Sequence, residues 1–373
     1  MNRISLFYFM CIILLIGCNK SETQNKCIIE TQATPIHTNS IKLSDLFQVK
    51  NIVPLETTDK SLIGKIDKLL KTNNRFFIQS SGTRILSFDN KGKYLNDIGC
   101  LGSGPQEYPV LYDFDADNQY VYILTKGRIL VYKYEANLVK EIPISVNATA
   151  LKIIDDGFLL YTLGDEYVFH LINSEGKLID KYMNKNQALR LTKAIPFRNY
   201  KNSYLSTLGR SNEVMVYDIQ EQTFSTVNLT NLPDALTLKK ENEVKESSGI
   251  KSNKLKSQGV IFDGMNATKD QLMFGSIDGE EIILWAKTTK EENGYLLSKI
   301  KDDITYLGIQ YWLRENTTSS ESFITFISPD YISESMKEHS SQFMESNYQS
   351  LKVLIDTIQT KEANPIIFEF NLK

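Results

Sequence analysis

Histidine and cysteine are scarce in this chain of 373 residues, which contains three histidines and four cysteines. The histidines lie far apart in the sequence, at His37, His170 and His339. Zinc sites built from cysteine and histidine need ligands at close and regular spacing, and the chain has no Cys-x-x-Cys pair. We therefore expect no metal site and no other cofactor.

Neither sign of charge is in excess. The chain has 42 lysines and arginines against 45 aspartates and glutamates, which gives a formal net charge of −3 and a pI near 5.8. Proteins that bind nucleic acid usually present a strongly basic surface, because much of their affinity comes from phosphate contacts. The composition therefore predicts no nucleic-acid partner.

Long hydrophobic runs are missing except at the start, where an apolar segment extends from Ile4 to Ile16 behind Arg3. This segment is shorter than the about 20 residues of a membrane-spanning helix, and it ends at a small residue, as secretory signals do. Cys18 directly follows Gly17, an arrangement that resembles the lipobox of bacterial lipoproteins. In such proteins the cysteine becomes the acylated first residue, and its fatty acids provide the anchor. An ordinary signal peptide is the alternative.

The lipoprotein interpretation divides the chain into three parts. Residues 1–17 are the signal peptide, residues 18–42 a polar, lipidated and flexible tether, and residues 43–373 the folded domain. The lipid at Cys18 is predicted to hold the protein at the outer membrane, and the periplasmic and cell-surface faces both remain open. Cys27 and Cys100 are left in the mature chain, and their spacing does not decide whether they pair.

From about residue 43 onward, short runs of Val, Ile, Phe and Tyr alternate with Asn, Asp and Gly. Runs such as 120–124 and 128–132 are typical of β-strands that are bounded by turns. Residues 88–95 have a clear counterpart at 172–179, and similar units recur about every 40 to 45 residues. Several strands in each unit of this length predict an all-β propeller, with a β-sandwich of coincidental spacing as the alternative.

Near the end of the chain the apolar pattern changes to a helical one. The apolar side chains between 333 and 360 lie at intervals built from threes and fours, at Met336, Phe343, Leu351, Leu354, Ile355 and Ile358. This predicts one helix over about 333–360 that docks on the domain. Asn364-Pro365 ends it, because the residue before proline avoids helical angles, and 366–370 is predicted to form the last strand.

The ring of a propeller has to be closed, because an open first or last blade exposes unpaired strand edges. Residues 51–55 precede the first complete unit and have no hairpin partner nearby. We therefore predict that this segment pairs with the last blade.

One loop, Gly99–Tyr108, is unusually rich in glycine and proline, but it lacks the lysine and hydroxyl residue of a phosphate-binding loop. In a structural interpretation it is a rigid crossing between blades, where Glu107 accepts backbone N–H bonds and Tyr108 packs beside it. In a functional interpretation the same two residues belong to a ligand surface at the mouth of the ring. The candidate residues of this loop are Gly102, Gly104, Pro105, Glu107 and Tyr108.

Several motifs together resemble a known family. They are residues 64–68, Phe88-Asp89 with Gly92-Lys93, the loop 102–108 followed by Asp113-Phe114, and the closing Asn364-Pro365. This pattern is similar to that of the six-bladed β-propeller lipoproteins of Bacteroides-type bacteria, which are related to NHL-type propellers. The resemblance implies six blades of four antiparallel strands, a helix inserted before the last strand, export and a lipid anchor. It implies no reaction, and the chain departs from the family pattern at Cys100 and Gln106.

The leading functional hypothesis is a monomeric binding or scaffold module for a glycan or peptide ligand. Trp285, Tyr311 and Trp312 are candidates for an aromatic platform that stacks on sugar rings, although packing between blades explains such residues equally well.

The alternative function is a hydrolase or lyase with an acidic site at the central mouth of the propeller. We name no catalytic residue, because adjacent acids such as Asp155-Asp156 and Asp302-Asp303 are predicted to lie in turns. The alternating acids Asp113, Asp115 and Asp117 resemble the start of a calcium loop, but they are interpreted as a solvated turn because its later ligands are missing.

Overall fold

The structure is a computed structural model that describes residues 36–104, 106–184, 197–207, 213–228, 261–278, 281–288, 291–308, 317–334 and 363–373. The predictions for Cys18, Cys27, Pro105, Tyr311, Trp312 and most of the helix at 333–360 lie outside these residues. Among the described helices, none has the length and apolarity needed to cross a membrane.

The described chain is almost entirely β-structure. Its first segment contains β1 (Ile36–His37), β2 (Ile41–Lys42), α1 (Leu43–Leu46) and β3 (Phe47–Pro54). Blade 1 follows with β4 (Ile66–Lys71), β5 (Arg75–Ser80), β6 (Arg84–Asp89) and β7 (Tyr94–Asp97). Blade 2 has β8 (Asp113–Ala116), β9 (Tyr120–Thr125), β10 (Arg128–Lys133) and β11 (Leu138–Pro143). Blade 3 has β12 (Ala148–Ile154), β13 (Gly157–Thr162), β14 (Tyr167–Asn173) and β15 (Leu178–Asn184).

The second half repeats this order. Blade 4 has β16 (Arg198–Tyr200), β17 (Ser203–Thr207), β18 (Glu213–Asp218) and β19 (Thr223–Asn228). Blade 5 has β20 (Ile261–Ala267), β21 (Leu272–Asp278), β22 (Glu281–Lys287) and β23 (Glu292–Leu296), followed by a 3₁₀ turn at Leu297–Lys299 and by β24 (Ile300–Lys301). Blade 6 combines β26 (Phe323–Ile327) and β27 (Ile366–Leu372) with β3, and the short β25 (Thr317–Thr318) precedes β26.

Each of blades 1 to 5 is an antiparallel meander whose four strands follow one another in space as in sequence. Middle strands are buried on both faces, and β13 is buried along its whole length, whereas the outer strand β15 is largely exposed. The first strands of neighbouring blades contact each other, as β8 and β12 do, so these strands surround the axis. The fold is therefore the predicted six-bladed, all-β propeller.

The hydrophobic core is divided in the way that a propeller requires. The described residues form six apolar clusters, and each cluster lies between two neighbouring blades, including blades 6 and 1. For example, Phe114 of blade 2 packs with Phe77 of blade 1, and Phe274 of blade 5 packs with Val216 of blade 4. A β-sandwich would bury one continuous layer between two sheets, so this partition excludes the alternative.

The ring closes as predicted from the sequence. Strand β27 lies between β26 and β3, and it pairs antiparallel with both. Val53 is opposite Ile367 and Asn51 is opposite Glu369. The first long strand of the chain therefore completes the last blade. The short β25 also pairs in parallel with β4 of blade 1.

The end of the predicted tether belongs to the fold. Strand β1 adds in parallel to the outer strand β23, and β2 pairs in parallel with β24. Asp303 then accepts hydrogen bonds from the backbone nitrogen and the hydroxyl of Ser44, at 2.9 and 2.6 Å. The sequence predicted a tether up to residue 42, but the fold already begins by Ile36. Strands of two residues are too short to show an alternation of polar and apolar side chains, so the pattern did not reveal them.

The order of the strands in each meander decides which links and turns lie on each face of the ring. One face, the crossing face, carries the links from the outer strand of a blade to the first strand of the next, and also the turn between second and third strands. The other face, the hairpin face, carries the remaining turns. The insertion between β26 and β27 leaves from the crossing face, and its described start at 329–334 is helical. The rest of the predicted helix lies outside the described residues.

Candidate functional site

The first strand of each of blades 2 to 5 is an edge strand of its sheet, so its inward N–H and C=O groups lack a neighbouring strand. Charged side chains of adjacent blades serve several of these groups. The Lys68 ammonium of blade 1 donates to the carbonyl of Phe114 in blade 2 at 2.6 Å and to the Asp113 carboxylate at 2.8 Å. The other oxygen of Asp113 accepts the N–H of Leu151 in blade 3 at 2.9 Å. One ion pair therefore connects three blades.

A second ion pair lies beside the first, nearer the hairpin face. Asp115 Oδ2 accepts from Lys152 Nζ at 2.7 Å and from the N–H of Ile153 at 3.0 Å. The Lys152 ammonium also lies 5.4 Å from the centre of the Tyr204 ring in blade 4. Burial lowers the pKa of Lys152, but the attraction of Asp115 outweighs it, so the pKa is raised and the lysine is charged.

Arg198 extends the arrangement to the other half of the ring. It is fully buried on β16, and its guanidinium donates to the carbonyl of Met265 in blade 5 at 3.2 Å and to the carbonyl of Thr317 in blade 6. Burial lowers the pKa of Arg198 to about 9, which still leaves the group charged at neutral pH.

We call Lys68, Asp113, Asp115, Lys152 and Arg198 the axial cluster. Asp113 and Asp115 are buried, and burial raises the pKa of Asp113 although Lys68 and the Leu151 N–H oppose the shift. A buried charge is costly unless it is paired and hydrogen-bonded. The lysines and aspartates meet both conditions, and Arg198 is hydrogen-bonded to two carbonyls. The cluster therefore ties inner strands together, and lysines and backbone N–H groups engage both oxygens of Asp113 and one oxygen of Asp115.

This placement corrects the interpretation of the alternating acids. Asp113 and Asp115 lie on β8 and are buried, so they do not form a solvated turn. Only Asp117 has the predicted role, because its Oδ1 accepts the N–H groups of Gln119 and Tyr120, both at 2.7 Å. No group of three or more metal-binding side chains occurs among the residues that the structure describes.

The glycine-rich loop has the geometry of the structural interpretation. Glu107 Oε2 accepts the N–H of Gly104 at 2.7 Å, and its Oε1 lies 3.6 Å from the Cys100 sulfur. A Cβ on Gly102 would lie 2.0 Å from Glu107 Oε2, so only glycine leaves room for this carboxylate. The loop therefore folds around Glu107.

Tyr108 is turned into the protein. Its ring is completely buried in the core between blades 1 and 2, and its hydroxyl donates to the carbonyl of Thr83 at 3.0 Å. Burial raises the pKa of this hydroxyl. Tyr132 fixes the same loop from blade 2 by donating to the carbonyl of Gln106 at 2.8 Å. In this position Tyr108 packs the crossing and has no surface to offer a ligand.

The predicted aromatic platform is not assembled by the described residues. Trp285 is only 2% exposed and stacks on Phe274 with ring centres 6.1 Å apart, in the core between blades 4 and 5. Its ring face is therefore used for packing. Tyr311 and Trp312 lie outside the described residues.

Exposed large apolar side chains are distributed unevenly over the ring. Four of them lie on the crossing face: Leu62 is 43% exposed, Leu101 48%, Tyr112 42% and Leu163 50%. The others lie on outer strands at the rim, at Leu95, Val139, Leu178 and Ile179. Among the described residues, the hairpin face shows none. Ion pairs between Arg84 and Asp97 and between Arg128 and Glu141 border the crossing-face group.

Sequence reasoning missed the lysines and the arginine of the axial cluster. Lys152 gives a weak signal, as the one charged residue of β12, whereas Lys68 gives none, because β4 also contains Asp67 and Lys71. A charge in such a run normally marks an exposed face, so the pattern alone does not reveal a buried partner two or more strands away.

Residues 27–371 match the family model described as Domain of unknown function (DUF4934). The chain belongs to that family. In solved structures, a protein of Bacteroides fragilis NCTC 9343 named as an exported protein has the same fold at 16% identity, with a TM-score of 0.66 over 91% of this chain and 98% of that one. No curated protein matches this DUF4934 chain.

More distant structures also match. U3-55K is 11% identical at a TM-score of 0.44, over 88% of this chain and 99% of that one. The extracellular domain of a hybrid two-component system from B. thetaiotaomicron is 13% identical at a TM-score of 0.38, over 68% of this chain and 29% of that one.

Proposed function

We propose that this DUF4934 protein is a monomeric binding module that recognises a protein or peptide through its crossing face. The observation that carries the proposal is the uneven exposure of apolar side chains. Leu62, Leu101, Tyr112 and Leu163 come from two different links and one turn, yet all are exposed on one face. Apolar groups within a polar border are typical of protein-binding surfaces.

A peptide fits this surface better than a glycan. Three of the four exposed side chains are leucines, which pack against other aliphatic groups but offer no flat ring for a sugar. The one tryptophan that the structure describes, Trp285, is buried between blades. The predicted glycan ligand therefore has less support on this face than the predicted peptide ligand.

The alternative of a hydrolase or lyase also has less support. Asp113 and Asp115 are acidic residues near the axis, and both are engaged by lysines and backbone N–H groups. A catalytic tyrosine base would need a lowered pKa, whereas burial raises the pKa of Tyr204 near the axis.

The location is part of the proposal and is supported by the sequence. The apolar segment that ends before Cys18 favours export and acylation, and the anchored protein would be a propeller lipoprotein of the outer membrane, related to NHL-type propellers. We expect mass spectrometry of the mature N-terminus to find acyl groups on Cys18, and we expect Cys18→Ser to release the protein from membranes. An unmodified N-terminus in the native host would contradict this location.

The binding face is tested with a library of displayed random peptides. Peptides selected on the purified wild-type protein are measured against the triple variant Leu101→Ser, Tyr112→Ser and Leu163→Ser. We expect affinity to fall at least about tenfold, since each buried leucine contributes about 1.5–3 kcal/mol at a contact. The matched control is Leu178→Ser with Ile179→Ser, because these side chains are equally apolar and exposed but lie at the rim.

Two results would overturn the proposed face. One is peptides that bind the triple variant as tightly as they bind the wild-type protein. The other is a glycan array in which sugars bind the wild-type protein and lose binding in the triple variant.

A further inference from the structure

A group of polar side chains from three blades lies near the hairpin end of the axis. It consists of Asp115 from blade 2, Lys152 from blade 3, and Asn199 and Tyr204 from blade 4. Lys152 Nζ lies 2.7 Å from Asp115 Oδ2 and 5.4 Å from the centre of the Tyr204 ring. Asn199 is the direct cross-strand partner of Tyr204, so both side chains project from the same face of blade 4, toward blade 3.

Several hydrogen-bonding groups of this set are not used within the described chain. Asp115 Oδ1 and Asn199 Oδ1 are buried acceptors that have no hydrogen-bond partner among the described residues. The Lys152 ammonium makes one hydrogen bond out of three, and its side chain is 17% exposed, so it is not sealed from outside. Buried polar atoms are nearly always paired in proteins, so one such acceptor next to the Lys152 ammonium and another on the strand beside Tyr204 indicate a place for a polar group.

Charge and hydrogen-bonding capacity restrict what fits. The Lys152 and Asp115 charges cancel. A ligand with a net charge would therefore lose its hydration without gaining an opposite charge in the site. Asp115 Oδ1 and Asn199 Oδ1 require donors, whereas the Lys152 ammonium requires acceptors. The Tyr204 hydroxyl can act as either. Neighbouring hydroxyl groups on a neutral sugar supply donors and acceptors together.

We propose that Asp115, Lys152, Asn199 and Tyr204 form a binding site for a neutral hexose-sized sugar at the hairpin end of the axis. This site is separate from the crossing face, and it does not depend on the function proposed for that face. The Tyr204 ring lies beside the Lys152 ammonium, and we expect its hydroxyl to contact the ligand.

Calorimetric titration of the purified protein with glucose, galactose and mannose tests the site. We expect at least one of them to bind at millimolar concentration, and to bind more tightly than glucuronic acid or glucosamine. Tyr204→Phe removes only the hydroxyl, and it should weaken binding about tenfold because one hydrogen bond is lost in a buried site. Asn199→Ala should weaken binding in the same direction.

Tyr161→Phe is the matched control. Tyr161 lies on β13 in the same interface between blades 3 and 4, and its hydroxyl is also buried without a partner among the described residues. We expect this variant to bind sugar as the wild-type protein does.

Three outcomes of these titrations would overturn the site. They are no hexose binding to the wild-type protein, unchanged binding in Tyr204→Phe, and tighter binding of a charged sugar than of any neutral one. The triple variant of the crossing face separates the two proposals. If that variant loses peptides but keeps the sugar, the sites are distinct, and if it loses the sugar, the hairpin-end site is wrong.

Discussion

Asn364 shows how one buried side chain organises the crossing from blade 6 to blade 1. Its amide donates to the carbonyls of Glu56 and Ser61 at 2.7 and 2.8 Å, and its Oδ1 accepts the N–H of Ile63 at 2.9 Å. Pro365 follows directly and leads into β27. The Asn-Pro pair that was predicted to end a helix therefore also shapes the loop in front of β4.

The substitution Asn364→Ala should lower the free energy of unfolding by about 3 kcal/mol, since it leaves three backbone groups without their partner in a buried site. Urea unfolding provides the measurement. Asn90→Ala is the control, because the Asn90 amide makes one exposed hydrogen bond, to the carbonyl of Asn73. A loss in Asn364→Ala no larger than that in Asn90→Ala would show that the loop does not need this side chain.

His170 makes stability depend on pH. It is buried on β14, and burial lowers its pKa below the ordinary value of 6.5, with Asp165 opposing and Lys181 adding to the shift. As pH falls through 6.5, the unfolded chain takes up a proton before the folded chain does, so stability is lost from there down toward the folded-state pKa.

Replacing His170 by leucine should remove this part of the pH dependence. We expect the difference in unfolding free energy between neutral and mildly acidic solution to be smaller in His170→Leu than in the wild-type protein. His37→Gln, at an exposed histidine, is the control. The same difference in wild-type protein and His170→Leu would assign the dependence to other groups.

At the scale of elements, the seam between blades 6 and 1 contains a buried ion pair. Lys71 at the end of β4 lies 2.5 Å from Glu369 on β27, and Ser322 donates to the same carboxylate at 3.3 Å. Lys71 also lies 5.6 Å from the centre of the Phe76 ring. Glu369 is almost completely buried, and Lys71 is the cation that lies against it.

Lys71→Met should destabilise the fold by about 3 kcal/mol, because breaking a buried pair leaves one charge without compensation. The double variant Lys71→Met with Glu369→Met should be more stable than the single one. The exposed pair Lys269–Glu321 gives the comparison, and Lys269→Met should cost about 0.5 kcal/mol or less. Equal losses from Lys71→Met and Lys269→Met would mean that the seam does not rely on the pair.

At the scale of the molecule, an early strand and the last described strand close the ring together. The pairing of β3 with β27 joins residues that are about as far apart in sequence as the fold allows, and Gln48 is directly opposite Asn371. A covalent bond at that point would fix the closure.

Gln48→Cys with Asn371→Cys, in a background with Cys27→Ser and Cys100→Ser, should form a disulfide between β3 and β27. Oxidation should raise the free energy of unfolding by about 2–4 kcal/mol, because the bond restricts a very long loop in the unfolded chain. The same protein with reductant is the control. A Tm that does not change on oxidation, with the disulfide confirmed by mass spectrometry, would contradict closure at this seam.

The ring was predictable from the sequence because its signals are local. Strand runs, turn residues and their recurrence identify the blades, and the need to pair edges identifies the segment around Val53. The axial cluster was not predictable, since Lys68 and Asp113 meet only after two blades have folded. The proposed sugar site was not predictable for the same reason, because Lys152 and Tyr204 belong to different blades. Composition also cannot distinguish an exposed tryptophan from Trp285, which is buried.

The position of β1 fixes the point at which the N-terminal segment meets the ring. Residues upstream of Ile36 join the ring at the outer edge of blade 5, and Lys373 ends beside Leu46 next to blade 6. An anchor at Cys18, as the sequence predicts, would therefore hold the ring at its circumference. Under that prediction neither face of the ring has to lie against the membrane, and both faces stay accessible.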